Sequence, residues 1–217
     1  MVWAPLGMLL VAFAMAAEAT VGPCDDTTHG TETKECLHFT TICSGEEYEV
    51  RSYDNTKWIS AVEESYFMDM AITRAFWKLF KYIQGNNAAG LKIDMTSPVV
   101  IKTKDTTSMW TSSKYKVSFL LPSAFQDGAQ EPPAPKDGSV FFEETPAMKL
   151  YVRSYGGWLM GLTSRTNARD LRMALQKAGA SFVKGSHYDV GYDSPMKMTE
   201  RHNEAWYAVE GDHVCPK

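Results

Sequence analysis

Val50-Arg51-Ser52-Tyr53 recurs letter for letter as Val152-Arg153-Ser154-Tyr155, 102 positions later, and this recurrence constrains the chain more than any property of its composition. The context recurs with it. Trp58 leads Trp-Ile-Ser-Ala-Val and Trp158 leads Trp-Leu-Met-Gly-Leu, and both segments read as β-strands. A helical stretch follows each, then a turn carrying Ser97-Pro98 or Ser194-Pro195, so the offsets stay between 97 and 102. Tyr115 to Leu121 and Glu204 to Val209 supply a closing strand for each half. Pro122 to Gly138, with Pro132-Pro133-Ala134-Pro135 inside it, reads as an extended surface connector. The pattern predicts one α+β domain made of a pseudo-twofold pair of strand-helix-strand-strand units. Neither half closes a sheet alone, so the two should merge into one curved sheet or barrel with a helix from each half outside it.

The first helix is predicted from about Tyr66 to Gln84, with Gly85 where a left-handed cap costs least. Met68, Ile72, Ala75, Phe76, Leu79 and Ile83 fall on one stripe, which faces the sheet. The opposite side carries Met70 and Trp77 among Arg74, Lys78 and Lys81, with Thr73 and Phe80 at the border. One reading is that Trp77 covers a neighbouring loop and the cations are solvated. The functional reading is a face for a flat apolar molecule with acidic groups, its ring on Met70, Trp77 and Phe80 and its carboxylates at Arg74 or Lys81. The second helix, about Asn167 to Ala178, has a plainer stripe of Ala168, Leu171, Leu175 and Ala178.

Residues 1 to 19 read as a cleaved signal peptide: an apolar run from Leu6 to Ala17 ends in Ala17-Glu18-Ala19, a small-x-small site. No Lys or Arg precedes the run, so a membrane anchor is the competing reading. Nothing after residue 20 is apolar enough to span a bilayer. With 22 basic against 26 acidic residues, net −4, no basic excess exists for nucleic acid. Cys24, Cys36, Cys43 and Cys215 lie at the two ends of the mature chain. An even count in a secreted protein predicts two disulfides, and their spacings do not match zinc knuckles. Three connectivities are possible. The reading leans to Cys24 with Cys36 and Cys43 with Cys215, because closing the longer loop removes more unfolded-state entropy.

Catalytic motifs are scarce. The chain contains no Gly-x-Ser-x-Gly, His-Glu-x-x-His, phosphate loop or dinucleotide fingerprint. His29, His38, His187, His202 and His213 are scattered, with His202 near Glu204 the one pair of interest. Glu204 is either an acid or base near a cleft or a structural carboxylate held by Arg201 or a backbone amide.

Tyr48 to Tyr53, Lys81-Tyr82-Ile83-Gln84-Gly85-Asn86-Asn87, Met95-Thr96-Ser97-Pro98-Val99, the Pro132 to Pro135 run, Gly191 to Pro195 and Arg201-His202-Asn203-Glu204-Ala205-Trp206 together resemble the SOUL haem-binding protein family, in that order, over roughly residues 37 to 210. The resemblance implies a twisted β-barrel flanked by two helices, similar to gyrase-inhibitor-like ligand-binding domains. It also implies reversible binding of haem or another tetrapyrrole without turnover. The cleft it implies lies along the first helix and the loop before the last strand, where this chain has Thr73, Trp77, Phe80, Lys81, Met196 and Lys197. Lys81 and Lys197 match positions proposed to meet the propionates. A third, Arg in some members, is Thr73 here, with Arg74 next to it. The axial His of a subset is replaced by Ser52, which leaves His38 as the histidine that could overturn a ligand-free iron.

These residues divide the chain into a signal peptide at 1–19, a Cys-containing segment at 20–35 and a SOUL-like domain at 36–217. The expected protein is extracellular, a monomer or weak dimer, and binds a tetrapyrrole by apolar contact and a few cations. A secreted interaction or defence factor and a small-molecule hydrolase on the same fold are the alternatives.

Overall fold

Alternation along the extended segments sends neighbouring residues to opposite faces of a sheet. The computed structural model describes residues 20–29, 32–105 and 111–217, so the signal-peptide expectation for 1–19 lies outside the described residues. In chain order the elements are β1 (Val21–Pro23), β2 (Glu35–Leu37), β3 (Thr40–Ser44), β4 (Glu49–Tyr53), β5 (Thr56–Ser65), α1 (Met68–Ile83), β6 (Val99–Lys104), β7 (Ser113–Leu120), β8 (Val140–Thr145), β9 (Met148–Tyr155), α2 (Gly161–Ala178), β10 (Ser186–Gly191) and β11 (Asn203–Ala208). Strands β1 and β2 form a hairpin. The others form one nine-stranded sheet in the order β3-β4-β9-β11-β10-β6-β7-β5-β8. All its pairings are antiparallel. The ladder has two ends, β3 and β8, which are not paired with each other among the described residues; the predicted α+β sheet with two helices is present, without a closed ring of hydrogen bonds.

Each half runs strand, strand, helix, strand, strand, one strand more than the sequence pattern suggested. The four-letter repeat does not mark corresponding places. Its first copy ends β4, the first strand of its run, and its second copy ends β9, the second strand of its run. The two copies are antiparallel neighbours, with Val50 opposite Tyr151 and Glu49 opposite Val152. Trp158-Leu159-Met160-Gly161-Leu162 is not a strand. Gly157, at φ +82°, turns the chain off the sheet after Tyr155, and α2 starts at Gly161, six residues earlier than expected. Thr163 Oγ1 accepts the Met160 N–H at 3.1 Å and so holds the new helix start. The two Ser-Pro turns also differ in place: Ser97-Pro98, a cis peptide, precedes β6, whereas Ser194-Pro195 follows β10.

The helices cover one face of the sheet. Met68, Ala71, Ala75, Leu79, Tyr82 and Ile83 of α1 are buried against β5 and β7, with Ile72 and Phe76 half-buried beside them. Ala168, Leu171, Ala174 and Leu175 of α2 are buried near Val50, Tyr151 and Tyr207, while Ala178, expected on that stripe, is exposed. Gly85 stands at φ +107° past the end of α1, and a Cβ there would lie 3.2 Å from the Gly90 carbonyl oxygen. The proline connector runs along this end, with the Tyr82 hydroxyl donating to Pro133 O at 2.9 Å.

Residues one step along each strand build the other face: Trp58, Val100, Leu120, Leu150, Val152, Val190 and Trp206. The β1–β2 hairpin lies on it and buries Val21 and Leu37 there. Leu37 N–H donates to Ser97 O at 2.9 Å, the Glu35 carboxylate accepts from Ser123 N–H at 2.7 Å, and Glu32 accepts from Ser194 N–H at 2.7 Å. The disulfides are Cys24–Cys36, which staples this hairpin, and Cys43–Cys215, which ties the edge strand to the chain end. Gly45 lies against that end so closely that a Cβ would stand 2.5 Å from Pro216 Cβ.

Replacing Cys43 and Cys215 together by Ser should lower stability by ~5 kcal/mol, the unfolded-chain entropy of a loop this long. Urea unfolding of the double variant checks this, and a thiol count on the denatured native protein is expected to find no free thiol. A loss under ~1 kcal/mol would contradict the account of this bond.

Candidate functional site

The outward face of α1 separates into free and engaged groups. Trp77 is 54% exposed and Met70 is 53% exposed, so Trp77 does not cover a loop. Trp77 stands edge-on to Phe80 at 5.6 Å and to Phe76 at 6.1 Å between centroids, and Phe80 stacks on Phe76. This aromatic row is anchored by Phe76 packing on Phe119 of the core. Thr73 donates its hydroxyl to Asp69 O at 2.8 Å. Arg74, the substitute considered for a propionate partner, is held by Glu63 at 3.1 Å and by Glu64 O at 3.0 Å. Lys78 also meets Glu63, at 2.7 Å. Lys81 is exposed and makes no ion pair among the described residues.

The Met196-Lys197 loop belongs to a different neighbourhood. Lys197 meets Asp193 at 2.6 Å. Arg201 donates to Ser194 O at 2.7 Å and Lys197 O at 2.6 Å, and its guanidinium lies 4.4 Å over the ring of Trp158. The segment 158–162 therefore stands between this loop and α1, where Gly161 N–H donates to Asp69 at 3.1 Å. It exposes Trp158, Met160 and Leu162, the last to 79%, and Met196 beyond it is 86% exposed. Phe67 and Met70, at the N-terminal end of α1, are exposed as well, at 66% and 53%. Lys81 lies about 16 Å farther along the helix axis than Met70 at 1.5 Å per residue. Reading 158–162 as a strand hid this segment; Gly156-Gly157 just before it was the available signal.

Glu204, like Asp189, is a carboxylate with no solvent exposure. Its Oε1 accepts from Arg51 at 3.0 Å and from His202 at 2.8 Å, and its Oε2 accepts from Tyr192 at 2.9 Å and from the Trp206 indole at 2.7 Å. The partner is Arg51, not Arg201, whose terminal Nη1 and Nη2 groups donate to backbone carbonyls. Arg51 is 1% exposed and also meets Glu49 at 2.8 Å, with its guanidinium 4.0 Å over Phe39. Burial alone would raise the Glu204 pKa, but the His202 hydrogen bond, the Arg51 charge and the Trp206 indole outweigh it and hold the carboxyl at about 2. All its strong acceptor positions are taken and it stays ionised, so it is poorly suited to donate a proton.

His29, His202 and Glu204 place one ligand atom each within 4.8 Å of one another. The two imidazoles are stacked at 4.0 Å and 14°, so their in-plane lone pairs run in nearly parallel planes, and no metal at ~2.1 Å meets both head-on. The trio does not fit a chelate. His38 is bonded to Pro23 O at 3.1 Å on the hairpin. His187 is buried between Asp105, at 2.5 Å from Nδ1, and Asp189, at 3.3 Å from Nε2 on a line too skewed for a good hydrogen bond. Burial lowers its pKa, but these two carboxylates outweigh that and raise it to about 9.

A family model described as SOUL heme-binding protein matches residues 34–208. Heme-binding protein 2 of Mus musculus is 35% identical over 159 residues, which is 73% of this chain and 76% of the relative. Heme-binding protein 1 of Mus musculus is 33% identical over 159 residues, 73% of this chain and 82% of the relative. Among solved structures, the EcmrR C-terminal domain covers 80% of this chain and 99% of its own at a TM-score of 0.54, with 11% identity, a likeness of fold alone.

The two buried charges set opposite edges of a pH window. Glu204 moves from an ordinary 4.5 down to about 2, so its stabilisation is complete above pH 4.5 and is lost as pH falls through about 2. His187 moves from 6.5 up to about 9, so its stabilisation is complete below pH 6.5 and is lost as pH rises through about 9. Urea unfolding at stepped pH should show a plateau between these edges. Glu204→Gln should reduce the acid slope, leaving the share of Asp105 and Glu143, which their hydrogen-bond partners also hold low despite burial. It should cost ~3 kcal/mol or more on the plateau, because Arg51 is left without its buried counter-ion. His187→Asn should flatten the alkaline slope; slopes unchanged in both variants would rule out these two groups as the cause.

Proposed function

The chain belongs to the SOUL haem-binding protein family, and from that membership we propose that it is a non-enzymatic carrier of haem or a related tetrapyrrole, secreted on the reading of its N-terminus and cysteines. The observation that carries the reading is the anchored aromatic row on the exposed face of α1, Trp77 with Phe80 over Phe76. A planar macrocycle removes Trp77 and Met70 from water there, and such contact is worth more than any one surface cation. Lys81, which has no ion pair among the described residues, is the cation best placed for a propionate on this face. The Met196 loop and the 158–162 segment offer a second apolar wall nearer Met70.

Ser52 stands where a subset of the family is expected to carry an axial His, so binding here rests on the macrocycle rather than on iron. Two disulfides support an oxidising, extracellular setting. The saturated, ionised Glu204 supports binding without turnover. A monomer or weak dimer, and descent of the two strand-strand-helix-strand-strand runs from one duplicated unit that curves into a barrel, belong to the same proposal; the mirror-like strand order about β10 and β6 supports the duplication.

Titration with hemin and with iron-free protoporphyrin should give affinities within about tenfold of each other. Trp77→Ala should weaken both by ~1–3 kcal/mol, and Lys81→Ala by ~0.5–1 kcal/mol. The site fails if His38→Ala abolishes the Soret shift while Trp77→Ala leaves it intact. The function fails if neither porphyrin binds at tens of micromolar.

A further inference from the structure

The face of the sheet away from the helices holds a cavity that the tetrapyrrole reading does not use. It has a volume of about 60 Å³ and lies between the sheet and the cystine-stapled hairpin, with Leu37 in its roof. At ~12 Å³ per water centre and ~30 Å³ of liquid per water, it accommodates roughly 150 Å³ of matter. That is the size of a single-ring molecule, far too small for a macrocycle. Its walls are aromatic: Tyr53, Trp58, Tyr188 and Trp206 all line it, with Val100 and Leu150 between them. The indole N–H of Trp58 is held by Thr145 Oγ1 at 3.0 Å and that of Trp206 by Glu204 at 2.7 Å. The rings are therefore fixed by their polar edges, which keeps the cavity shape from collapsing.

One rim carries an imbalance of charge. Lys102 of β6 is paired directly across the ladder with Lys116 of β7 on one side and with Tyr188 of β10 on the other. Like charges opposite one another destabilise a sheet. The carboxylate lining this rim, Glu143, is already committed to Lys116 at 2.5 Å, Ser60 at 2.6 Å and Ser118 at 3.2 Å. Lys102 has no hydrogen bond or ion pair among the described residues, and its ammonium lies 5.4 Å from the Tyr188 ring centroid. Asp54, the other acid lining the cavity, is in the turn between β4 and β5.

We propose that this cavity is a second ligand site, distinct from the face of α1, for a small aromatic or compact apolar carboxylic acid whose ring lies among Tyr53, Trp58 and Trp206 and whose carboxylate meets Lys102. A neutral ring lacks a carboxylate to pair with the Lys102 ammonium, Lys116 being already paired with Glu143. A ring bearing an amine is repelled by Lys102.

Benzoate, benzyl alcohol and benzylammonium, titrated into the full disulfide-bonded chain by calorimetry and tryptophan emission, test this. Benzoate should bind with Kd on the order of 0.1–1 mM and change the emission, the alcohol should bind about tenfold more weakly, and the amine should not bind. Lys102→Met should remove the benzoate advantage, and Leu150→Phe should block the cavity. Hemin titration should be unchanged in both variants, which separates this site from the tetrapyrrole one whether or not hemin binds. No benzoate binding by the native chain at about 10 mM, full benzoate affinity in Lys102→Met, or displacement of benzoate by hemin would overturn the proposal. Lys102 is on the rim, so its variant leaves the fold intact if Leu150→Phe does not.

Discussion

A fully buried arginine and a fully buried glutamate, 3.0 Å apart, impose conditions on most of this molecule. Two charges out of water are tolerated only when every donor and acceptor around them is answered. Here Glu204 receives Arg51, His202, Tyr192 and Trp206, and Arg51 also donates to Glu49 and Tyr53 and turns its flat face to Phe39. Arg51 is on β4 and Glu204 on β11, with β9 between them. Their meeting therefore sets the register of three strands together, since a slip of one residue would send either charge to the helix face. His29 stacks on His202 from the stapled segment, so the covering piece is keyed to the same pair.

That network explains what could and could not be read from the sequence. Apolar periodicity was enough for α1, for the closing strands and for the sheet beneath them. Loop-length entropy was enough to favour Cys43 with Cys215. The four-letter repeat misled because identical letters do different work in its two copies. Val50 packs toward α2, whereas Val152 packs on the opposite face with Trp206. Arg51 is the buried ion; Arg153 reaches Glu47 O at the surface, at 3.1 Å. A strand residue's face depends on register with its neighbours, and register is settled by partners more than a hundred residues away. The same limit hid the partner of Glu204, which is 153 positions distant while Arg201 is three.

The candidate site was legible in its composition and not in its assembly. Trp77 could be placed on the charged face of α1 from periodicity, and the structure leaves it 54% exposed there. Which cations remain available was not legible. Arg74 and Lys78 are consumed by Glu63, which β5 brings alongside α1, and only the fold reveals that consumption. The 158–162 segment escaped for a simpler reason: a five-residue apolar run has no length by which to tell a strand from a helix start.

The sheet's two faces then acquire different chemistry from one alternating code. On the helix face, α1 and α2 bury most of the large side chains of the sheet, Phe142 at 39% exposure being an exception, and the outer surface of α1 keeps Trp77 and Met70 open to solvent. On the other face no helix arrives, and a three-residue strand pair is too small to cover it alone. A disulfide and carboxylate clamps at Ser123 and Ser194 fix that cover. A cover held by its edges does not press into the sheet as a helix does, so aromatic walls remain apart at the centre. The cavity by Lys102 follows from how this face is closed, just as the exposed row at Trp77 follows from how the first face is closed.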